Sequence, residues 1–411
     1  MNENTNQRQY DVIVWGATGF TGKLVTEYLH GKYGIGGDLR WAIAGRDQPK
    51  LEMTCADLGI QPGSLPIIIA DSLDYESVQG LARNTRVVLT TVGPYAKYGS
   101  ALVEACVANS THYCDLAGEV QWMRKMIDRF QSDARKSGAR IVHSCGFDSI
   151  PSDIGVWFLQ REAQKQHGEP CAEIKLLVKA MKGGASGGTF ASMMNALEES
   201  RRDREIAKIL VDPYSLNPEG ERSGPDGRDQ SGVDYHEDSG TWTAPFVMGS
   251  VNTRIVRRTN ALLQYAYGRD FKYSEATMTG SGPAGFMKSA SMTVGLGGFM
   301  FASSFDFSRS VLVRRFLPKP GEGPTEKQRE AGFFNLSLAG KLANGSLMRA
   351  RVTGDRDPGY GSTSKMLSES AVCLAMDDLP SKGGFWTPAS AMADALFGRL
   401  KDNAGLGFEI V

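Results

Sequence analysis

Residues 11–22, DVIVWGATGFTG, decide the fold of this 411-residue chain. The apolar run at residues 11–15 predicts a buried strand, and the pattern at residues 23–30 predicts a helix close behind it. The glycines between them permit a sharp turn, close approach of backbone N–H groups to a pyrophosphate, and tight packing of helix on strand. A bound dinucleotide explains this arrangement better than a glycine turn without a ligand. The predicted cofactor-binding residues of the turn are Gly16, Ala17, Thr18, Gly19, Phe20, Thr21 and Gly22.

The end of the second predicted strand, residues 39–44, selects the cofactor. Gly45, Arg46 and Asp47 follow that strand. NAD enzymes usually place a carboxylate there for the ribose 2′-hydroxyl, whereas an arginine suits the 2′-phosphate of NADP. Arg46 therefore predicts NADP(H), with Asp47 as an alternative ligand for the ribose. A charge-assisted hydrogen bond contributes about 1.5–3 kcal/mol, so one arginine contact favours NADP roughly ten- to over a hundredfold.

Further apolar runs continue the alternation of strands and helices, at residues 65–70, 86–92 and 139–144. Asp71 follows the first of these runs, where it borders an adenine or caps the next helix, and the two roles are compatible. The loop after the second run opens at the carboxyl ends of parallel strands, on the expected nicotinamide side. Its predicted cofactor-binding residues are Val92, Gly93, Pro94 and Tyr95.

The predicted fold class is α/β, a Rossmann doubly wound parallel sheet with a second α/β substrate domain. A single core stops growing near roughly 250–300 residues, so this chain suits more than one domain. We assign residues 1–150 to the Rossmann domain, 151–350 to the substrate domain, and 351–411 to a C-terminal segment that packs back on the first domain. Within the second domain, residues 212–240 are poor in apolar side chains and predict an exposed, mobile loop.

The loop at residues 183–189, GGASGGT, lies between a predicted strand and a predicted helix. A helix N-terminus of this kind can receive an anionic group, such as the phosphate of a carrier thioester. A plain turn in which Thr189 caps the helix is the favoured alternative.

Composition excludes several classes of partner. Lysine plus arginine equals aspartate plus glutamate at 46 each, so no net field attracts nucleic acid. Six cysteines without a CxxC pair argue against a zinc site, predict no metal, and suit reduced thiols in the cytoplasm. The polar N-terminal residues 1–11 lack the apolar core of a secretory signal, which again indicates a cytoplasmic protein.

The uncharged stretch at residues 289–305 is the one segment that suggests a membrane. It is too short and too rich in glycine and serine for a spanning helix, which needs roughly 20 apolar residues. With Arg309, Arg314 and Arg315 just beyond it, the stretch suits peripheral contact with a lipid surface or a channel for an apolar substrate. Burial in a dimer interface is the alternative, and a homodimer is the default expectation.

Several short motifs, taken in order, resemble the saccharopine dehydrogenase superfamily. They are GATGFTG (16–22), AGR (44–46), VGPY (92–95), HYCDLAGE (112–119) and GFDSIPSD (146–153). Later segments are similar to the trans-acting enoyl reductase subfamily and its lipid-droplet-associated relatives, and the similarity spans nearly the whole chain. These segments are APFVM (244–248), NTRIVRRTNAL (252–262), LPKPGEGP (317–324) and GDRDPGYGSTSKMLSESAVCLA (354–375). The resemblance implies an NADPH-dependent reductase of an enoyl intermediate in lipid or polyketide assembly, with a hydrophobic substrate that is small or bound to a carrier.

Enoyl reduction needs a hydride for the β-carbon, a donor to the enolate oxygen and a proton for the α-carbon. The predicted catalytic residues lie in loops expected to face the nicotinamide, and each also has a structural interpretation. Tyr95 packs the ring, Asp148 and Ser149 cap the following helix, and a further candidate, Lys365, is solvated. The predicted catalytic residues are Tyr95, Asp148, Ser149 and Tyr360.

Two alternatives remain open. One is an NADP(H)-binding scaffold or redox sensor associated with lipid, with little catalysis. The other is an amino-acid dehydrogenase of the saccharopine type, which requires basic residues converging on two substrate carboxylates. A hydrolase is disfavoured because His112 and His143 lie near strand ends without the serine and aspartate partners of a triad.

Overall fold

The computed structural model describes residues 8–183, 187–303 and 323–411, and in these residues the strands form two sheets of seven. Elements are numbered along the chain. The first sheet is parallel throughout and has the order β13-β6-β5-β4-β1-β2-β3. Its strands are β1 (Tyr10–Trp15), β2 (Trp41–Gly45), β3 (Ile67–Ile69), β4 (Thr85–Thr90), β5 (His112–Cys114), β6 (Arg140–Val142) and β13 (Gly384–Trp386).

Helices cover both faces of this sheet because its central strands are apolar on both sides, and β1 is buried at every position. The helix of the glycine turn and those that follow are α1 (Phe20–Tyr33), α2 (Gln48–Asp57), α3 (Tyr75–Arg83), α4 (Tyr95–Tyr98), α5 (Ser100–Ala108), α6 (Val120–Ser137) and α7 (Ile150–His167). The predicted doubly wound parallel sheet is confirmed.

The second sheet is mixed, with order β14-β12-β11-β7-β10-β9-β8 and one parallel pair, β7 with β10. Its strands are β7 (Glu173–Lys182), β8 (Asp234–His236), β9 (Thr241–Pro245), β10 (Lys272–Gly280), β11 (Phe333–Lys341), β12 (Leu347–Gly354) and β14 (Leu406–Ile410). The accompanying helices are α8 (Gly187–Arg202), α9 (Arg204–Val211), α10 (Gly249–Leu262), α11 (Gly282–Ala302), α12 (Glu326–Glu330), α13 (Thr363–Met376) and α14 (Pro388–Asp402). A 3₁₀ turn (Glu237–Ser239) and a π-helical turn (Pro358–Ser362) complete the description.

The C-terminal segment contributes to both sheets. β13 extends the parallel sheet beyond β6, whereas β12 and β14 pair in the mixed sheet. The nearly fully buried α13 packs against β1, β4 and β5. The division of the chain at residues 150 and 350 stays a prediction.

The segment at residues 212–240, for which composition predicts an exposed, mobile loop, contacts the rest of the protein at several points. Residues 214–217 are buried. Asp226 pairs with Arg257 at 2.6 Å and Asp229 pairs with Arg254 at 2.5 Å. Both arginines lie on α10. The carboxylates of Asp226 and Asp229 therefore bind the segment to this helix.

Candidate active site

The turn between β1 and α1 has the geometry that a pyrophosphate requires. Gly16 adopts φ +88°, in the left-handed region that favours glycine. A Cβ on Gly22 would lie 2.1 Å from the carbonyl oxygen of Gly16. Gly19 is the N-cap of α1, is extended and has no side chain that could cap the helix. The backbone N–H groups of the first helical turn are therefore available to an anionic ligand. These residues fit the phosphates of a dinucleotide.

The end of β2 separates the roles of its two charged residues. Asp47 accepts a hydrogen bond from the Lys50 backbone N–H at 3.2 Å and pairs with the Lys50 Nζ at 3.1 Å, so its carboxylate caps α2. Arg46 is exposed beside it at the strand end. This arrangement favours Arg46 over Asp47 as the residue that meets the cofactor ribose. Asp71, after β3, accepts from the Leu73 N–H at 3.0 Å and keeps its predicted place near the adenine as a proposal.

The loop after β4 is supported from beneath by Tyr95. This loop contains a cis Gly93–Pro94 peptide bond and borders the central cavity. The Tyr95 hydroxyl donates to the Thr90 carbonyl oxygen at 3.3 Å and accepts from the Leu116 N–H at 3.1 Å. Its ring stacks on Trp122, with centroids 5.5 Å apart. Because its proton is already engaged in the core, Tyr95 supports the loop, and its predicted catalytic role loses support.

Glu119 is a residue whose role the sequence did not reveal. Its buried carboxylate accepts from the N–H groups of Tyr95 at 2.7 Å and Ala96 at 2.9 Å. It also accepts from the Ser192 hydroxyl on α8, at 2.8 Å. Burial raises the pKa of Glu119, while these three donors oppose the rise. The motif HYCDLAGE ends in this carboxylate, but nothing in the motif identifies partners so distant along the chain.

A cavity of about 1110 Å³ extends from the loop at Gly93 and Pro94 into the space between the two sheets. Ligand pockets usually measure about 300–1,000 Å³, so there is room for a cofactor end and a further group. Its described lining contains two carboxylates, Asp148 and Asp229, and no lysine, arginine or histidine. Asp229 is already paired with Arg254. The lining is mainly apolar and includes Met193, Ala196, Leu197, Leu210, Phe246, Val247, Met248, Val251, Leu296, Gly297 and Met300.

Three of the predicted catalytic residues line this cavity: Tyr95, described above, and Asp148 and Tyr360. Asp148 lies in the loop after β6, where burial and the nearby Asp115 carboxylate raise its pKa to about 7. Tyr360 lies in the π-helical turn, and its ring meets Phe20 edge-on with centroids 4.8 Å apart. The Tyr360 hydroxyl accepts from the N–H of Gly187, the first residue of α8, at 3.2 Å. Both groups can offer a proton to a ligand in the cavity.

The other two candidates have different positions. Ser149, predicted as catalytic, is fully buried and donates to Asn252 Oδ1 at 3.1 Å, so the structure contradicts that prediction. The reason is local, because its side chain turns into the core at the start of α7 and leaves the adjacent Asp148 at the cavity. Lys365 pairs with Asp355 at 3.1 Å and is not part of the cavity lining.

His143 has the aspartate partner that the sequence did not reveal. Its Nδ1 lies 2.7 Å from Asp115 Oδ2, in a fully buried pair that the Tyr113 hydroxyl also joins at 2.9 Å. The expectation that His143 lacks an aspartate was therefore wrong. Within the described residues its Nε2 has no hydrogen-bond partner and borders a void of about 10 Å³. This pair supports the sheet, whereas His112 accepts from the Arg140 N–H at 3.1 Å.

Some predicted features fall outside the described part of the chain. Residues 184–186 of the predicted anion loop and Arg309, Arg314 and Arg315 are among them. In the described ranges, no group of three or more His, Cys, Asp or Glu is arranged to hold a metal. None of the helices in the described ranges is long and apolar enough to cross a bilayer.

A phosphate cradle at one end of a cavity and proton donors along its wall are the parts that hydride transfer needs, and they define an NADP-dependent oxidoreductase. Residues 12–142 match the family model of the saccharopine dehydrogenase NADP-binding domain, so the cofactor is NADP(H). A relative from Mycobacterium tuberculosis (strain ATCC 25618 / H37Rv), named as a trans-acting enoyl reductase, is 41% identical over 405 residues, 96% of each chain. The protein belongs to the trans-acting enoyl reductase branch of the saccharopine dehydrogenase-like family.

Two further comparisons agree with this assignment. A protein of Mycobacterium ulcerans (strain Agy99) named trans-acting enoyl reductase is 37% identical over 407 residues, again 96% of each chain. The solved structure of saccharopine dehydrogenase (L-Glu forming) from Saccharomyces cerevisiae matches 98% of this chain and 100% of its own, with a TM-score of 0.54. At 11% identity this last match shows the shared fold alone.

Proposed function

We propose that this protein uses NADPH to reduce the carbon–carbon double bond of an apolar enoyl substrate. The observation that carries the proposal is the cavity, which joins the loop at Gly93 and Pro94 to a mainly apolar interior. The family supports the same reaction, since relatives that are 41% and 38% identical over 405 residues are named as enoyl reductases. An enoyl group next to the nicotinamide and an aliphatic remainder deeper in the cavity match this distribution of side chains.

The cavity also offers the two proton donors that the reaction needs. Bound NADPH supplies the hydride for the β-carbon. Tyr360 donates a hydrogen bond to the carbonyl oxygen as negative charge develops there. Burial raises the pKa of Tyr360, and the Gly187 N–H, which lies at the positive end of the α8 dipole and donates to the Tyr360 oxygen, opposes this rise. Asp148, with its pKa raised to about 7, is substantially protonated near neutral pH and delivers the proton to the α-carbon.

The saccharopine-type alternative has less support. A substrate with two carboxylates needs basic partners in its site. The cavity lining, within the described residues, contains no lysine, arginine or histidine that could pair with such a substrate.

The scaffold alternative has no specific observation in its favour. The space beside the cis Gly93–Pro94 loop is open, whereas a protein that only binds its cofactor has no need of such a volume. An open, mainly apolar cavity at that position favours turnover.

The finer assignments are part of the same proposal. The substrate is an acyl thioester, on a carrier or on coenzyme A, and the protein is cytoplasmic, in keeping with six buried free cysteines. Helix α11 exposes Phe286, Met287, Val294 and Phe301, which suits peripheral contact with lipid or with a second copy in a homodimer.

The decisive experiment follows NADPH absorbance in the purified protein with a panel of crotonyl, octenoyl and dodecenoyl thioesters of coenzyme A. We expect NADPH consumption together with a saturated product identified by mass. Oxo acids offered with an amino acid serve as the comparison panel and should leave NADPH unchanged. Tight NADPH binding without turnover of any enoyl thioester would instead support the scaffold alternative, and turnover of the oxo acids would support the amino-acid dehydrogenase.

A further inference from the structure

Helix α11 forms part of the wall of the cavity. The α11 residues that line it are Thr293, Leu296, Gly297 and Met300, spaced as one face of a helix. This face extends along about 10 Å of the helix axis, at about 1.5 Å per residue. The lining residues Met193, Ala196 and Leu197 lie on α8. We call the space lined by these two helix faces the apolar arm of the cavity.

Gly297 is the smallest side chain on the α11 wall. Among the described residues, a Cβ built at this position meets no atom within 4 Å, so no described atom lies where a side chain would point. Glycine within a helix is unfavourable relative to alanine, because it adds backbone entropy to the unfolded chain. Gly297 is unfavourable for the helix, and it lies in the wall of the cavity between the larger side chains of Leu296 and Met300.

Neighbouring glycines on α11 provide an internal comparison. Cβ atoms at Gly295 and Gly298 also meet nothing within 4 Å, yet neither residue lines the cavity. Gly295, Gly297 and Gly298 lie on the same helix, have the same open surroundings and reduce helix propensity equally. A change at Gly297 therefore differs from the same change at Gly298 chiefly in its effect on the cavity.

We propose that Gly297 determines the width of an acyl channel, so that the enzyme prefers enoyl substrates with long aliphatic chains over short ones. The proposal rests on the proposed function and specifies its substrate class. The lining residues of the arm on α8 and α11 carry no charge, so each methylene gains by leaving water. Burying one methylene contributes roughly a fourfold gain in binding. A longer chain, up to the length of the arm, should therefore raise kcat/KM.

The test compares Gly297→Leu with Gly298→Leu across the crotonyl, octenoyl and dodecenoyl thioesters. We expect kcat/KM of the unchanged protein to rise with chain length. Gly297→Leu should reduce kcat/KM for the dodecenoyl substrate roughly ten- to a hundredfold and leave the crotonyl substrate nearly unaffected. Gly298→Leu should keep the original profile. Both variants gain helix propensity, and thermal unfolding will verify that each is folded.

Two results would overturn the proposal: a flat chain-length profile in the unchanged protein, or equal profiles for the two leucine variants. A binding experiment separates this proposal from the proposed function. Calorimetric titration of the NADP⁺ complex with the saturated dodecanoyl thioester reports on the channel without turnover. If this ligand binds and Gly297→Leu alone weakens it while no enoyl substrate is reduced, the channel stands and the reductase assignment fails. If the ligand does not bind, or both variants bind it as the unchanged protein does, the channel is wrong.

Discussion

The two ends of the cavity are built in different ways. At the phosphate end, Gly16 and Gly22 act through backbone conformation and close approach, within one turn between a strand and a helix. At the substrate end, Asp148, Tyr360 and the α8 N-terminus are brought together from distant parts of the chain. A site formed by local backbone geometry can therefore be predicted from a short motif. A site assembled from distant side chains can be recognised only in the folded structure.

The largest expected effect is at the phosphate end. Gly22→Ala places a Cβ 2.1 Å from the Gly16 carbonyl oxygen, so the turn must distort. We expect NADPH affinity to fall at least about a thousandfold, the equivalent of about 4.1 kcal/mol. Titration by NADPH fluorescence measures the loss. The matched control is Gly31→Ala on the same helix, where a Cβ meets nothing within 4 Å and binding should not change. Normal affinity in Gly22→Ala would remove the basis for treating this end as backbone-determined.

The next effect is at the substrate end and separates the two tyrosine candidates. Tyr360→Phe removes the hydroxyl that faces the cavity, and we expect kcat to fall about 10²–10³-fold with NADPH affinity unchanged. Tyr95→Phe removes a core hydrogen bond instead, and should lower the free energy of unfolding by about 1 kcal/mol while kcat stays within a few-fold of the original. Steady-state kinetics and denaturant unfolding distinguish them. The reverse pattern would show that Tyr95 carries the chemistry.

A smaller effect should appear at Arg46, whose proposed contact is with only one part of the cofactor, the 2′-phosphate. Arg46→Ala should weaken NADPH binding roughly ten- to a hundredfold and leave NADH binding unchanged, because only NADPH carries the 2′-phosphate. Asp47→Ala serves as the neighbouring control. It removes the cap of α2 and should reduce stability by about 0.5–2 kcal/mol without altering the preference between the cofactors. A preference that moves with Asp47 instead would assign the ribose contact to the carboxylate.

The mildest effect is a pH dependence at the substrate end. Asp148 must be protonated to act as the acid, and its pKa is raised to about 7. The protonated fraction is high below that value and falls as the pH rises through it. We therefore expect kcat to be level below pH 7 and to decline up to about tenfold per unit above it. Stopped-flow measurement of the hydride step across this range checks the profile. Asp148→Asn should be slower and flat, and an unchanged profile in that variant would assign the proton to another group.

The sequence predicted the parts of the fold that depend on local pattern. The glycine turn, the apolar strands and Arg46 at a strand end follow from rules that act over a few residues. Ser149 was misassigned because adjacent residues at a helix start point in different directions, and only the fold shows that Asp148 faces the cavity.

Partners far apart along the chain could not be predicted. The Asp115–His143 pair and the contacts of Glu119 depend on which strands and helices become neighbours. The position of β13 at the edge of the first sheet depends in the same way on the return of the C-terminal segment.

The position of Glu119 has a mechanical consequence. One carboxylate holds the N–H groups of the loop beneath the nicotinamide and the Ser192 hydroxyl of α8. Any hinge motion that swings α8 away from the cavity must break the Ser192 hydrogen bond, at a net cost of about 0.5–1.5 kcal/mol. Through one buried carboxylate, the position of α8 is therefore tied to the conformation of the loop after β4.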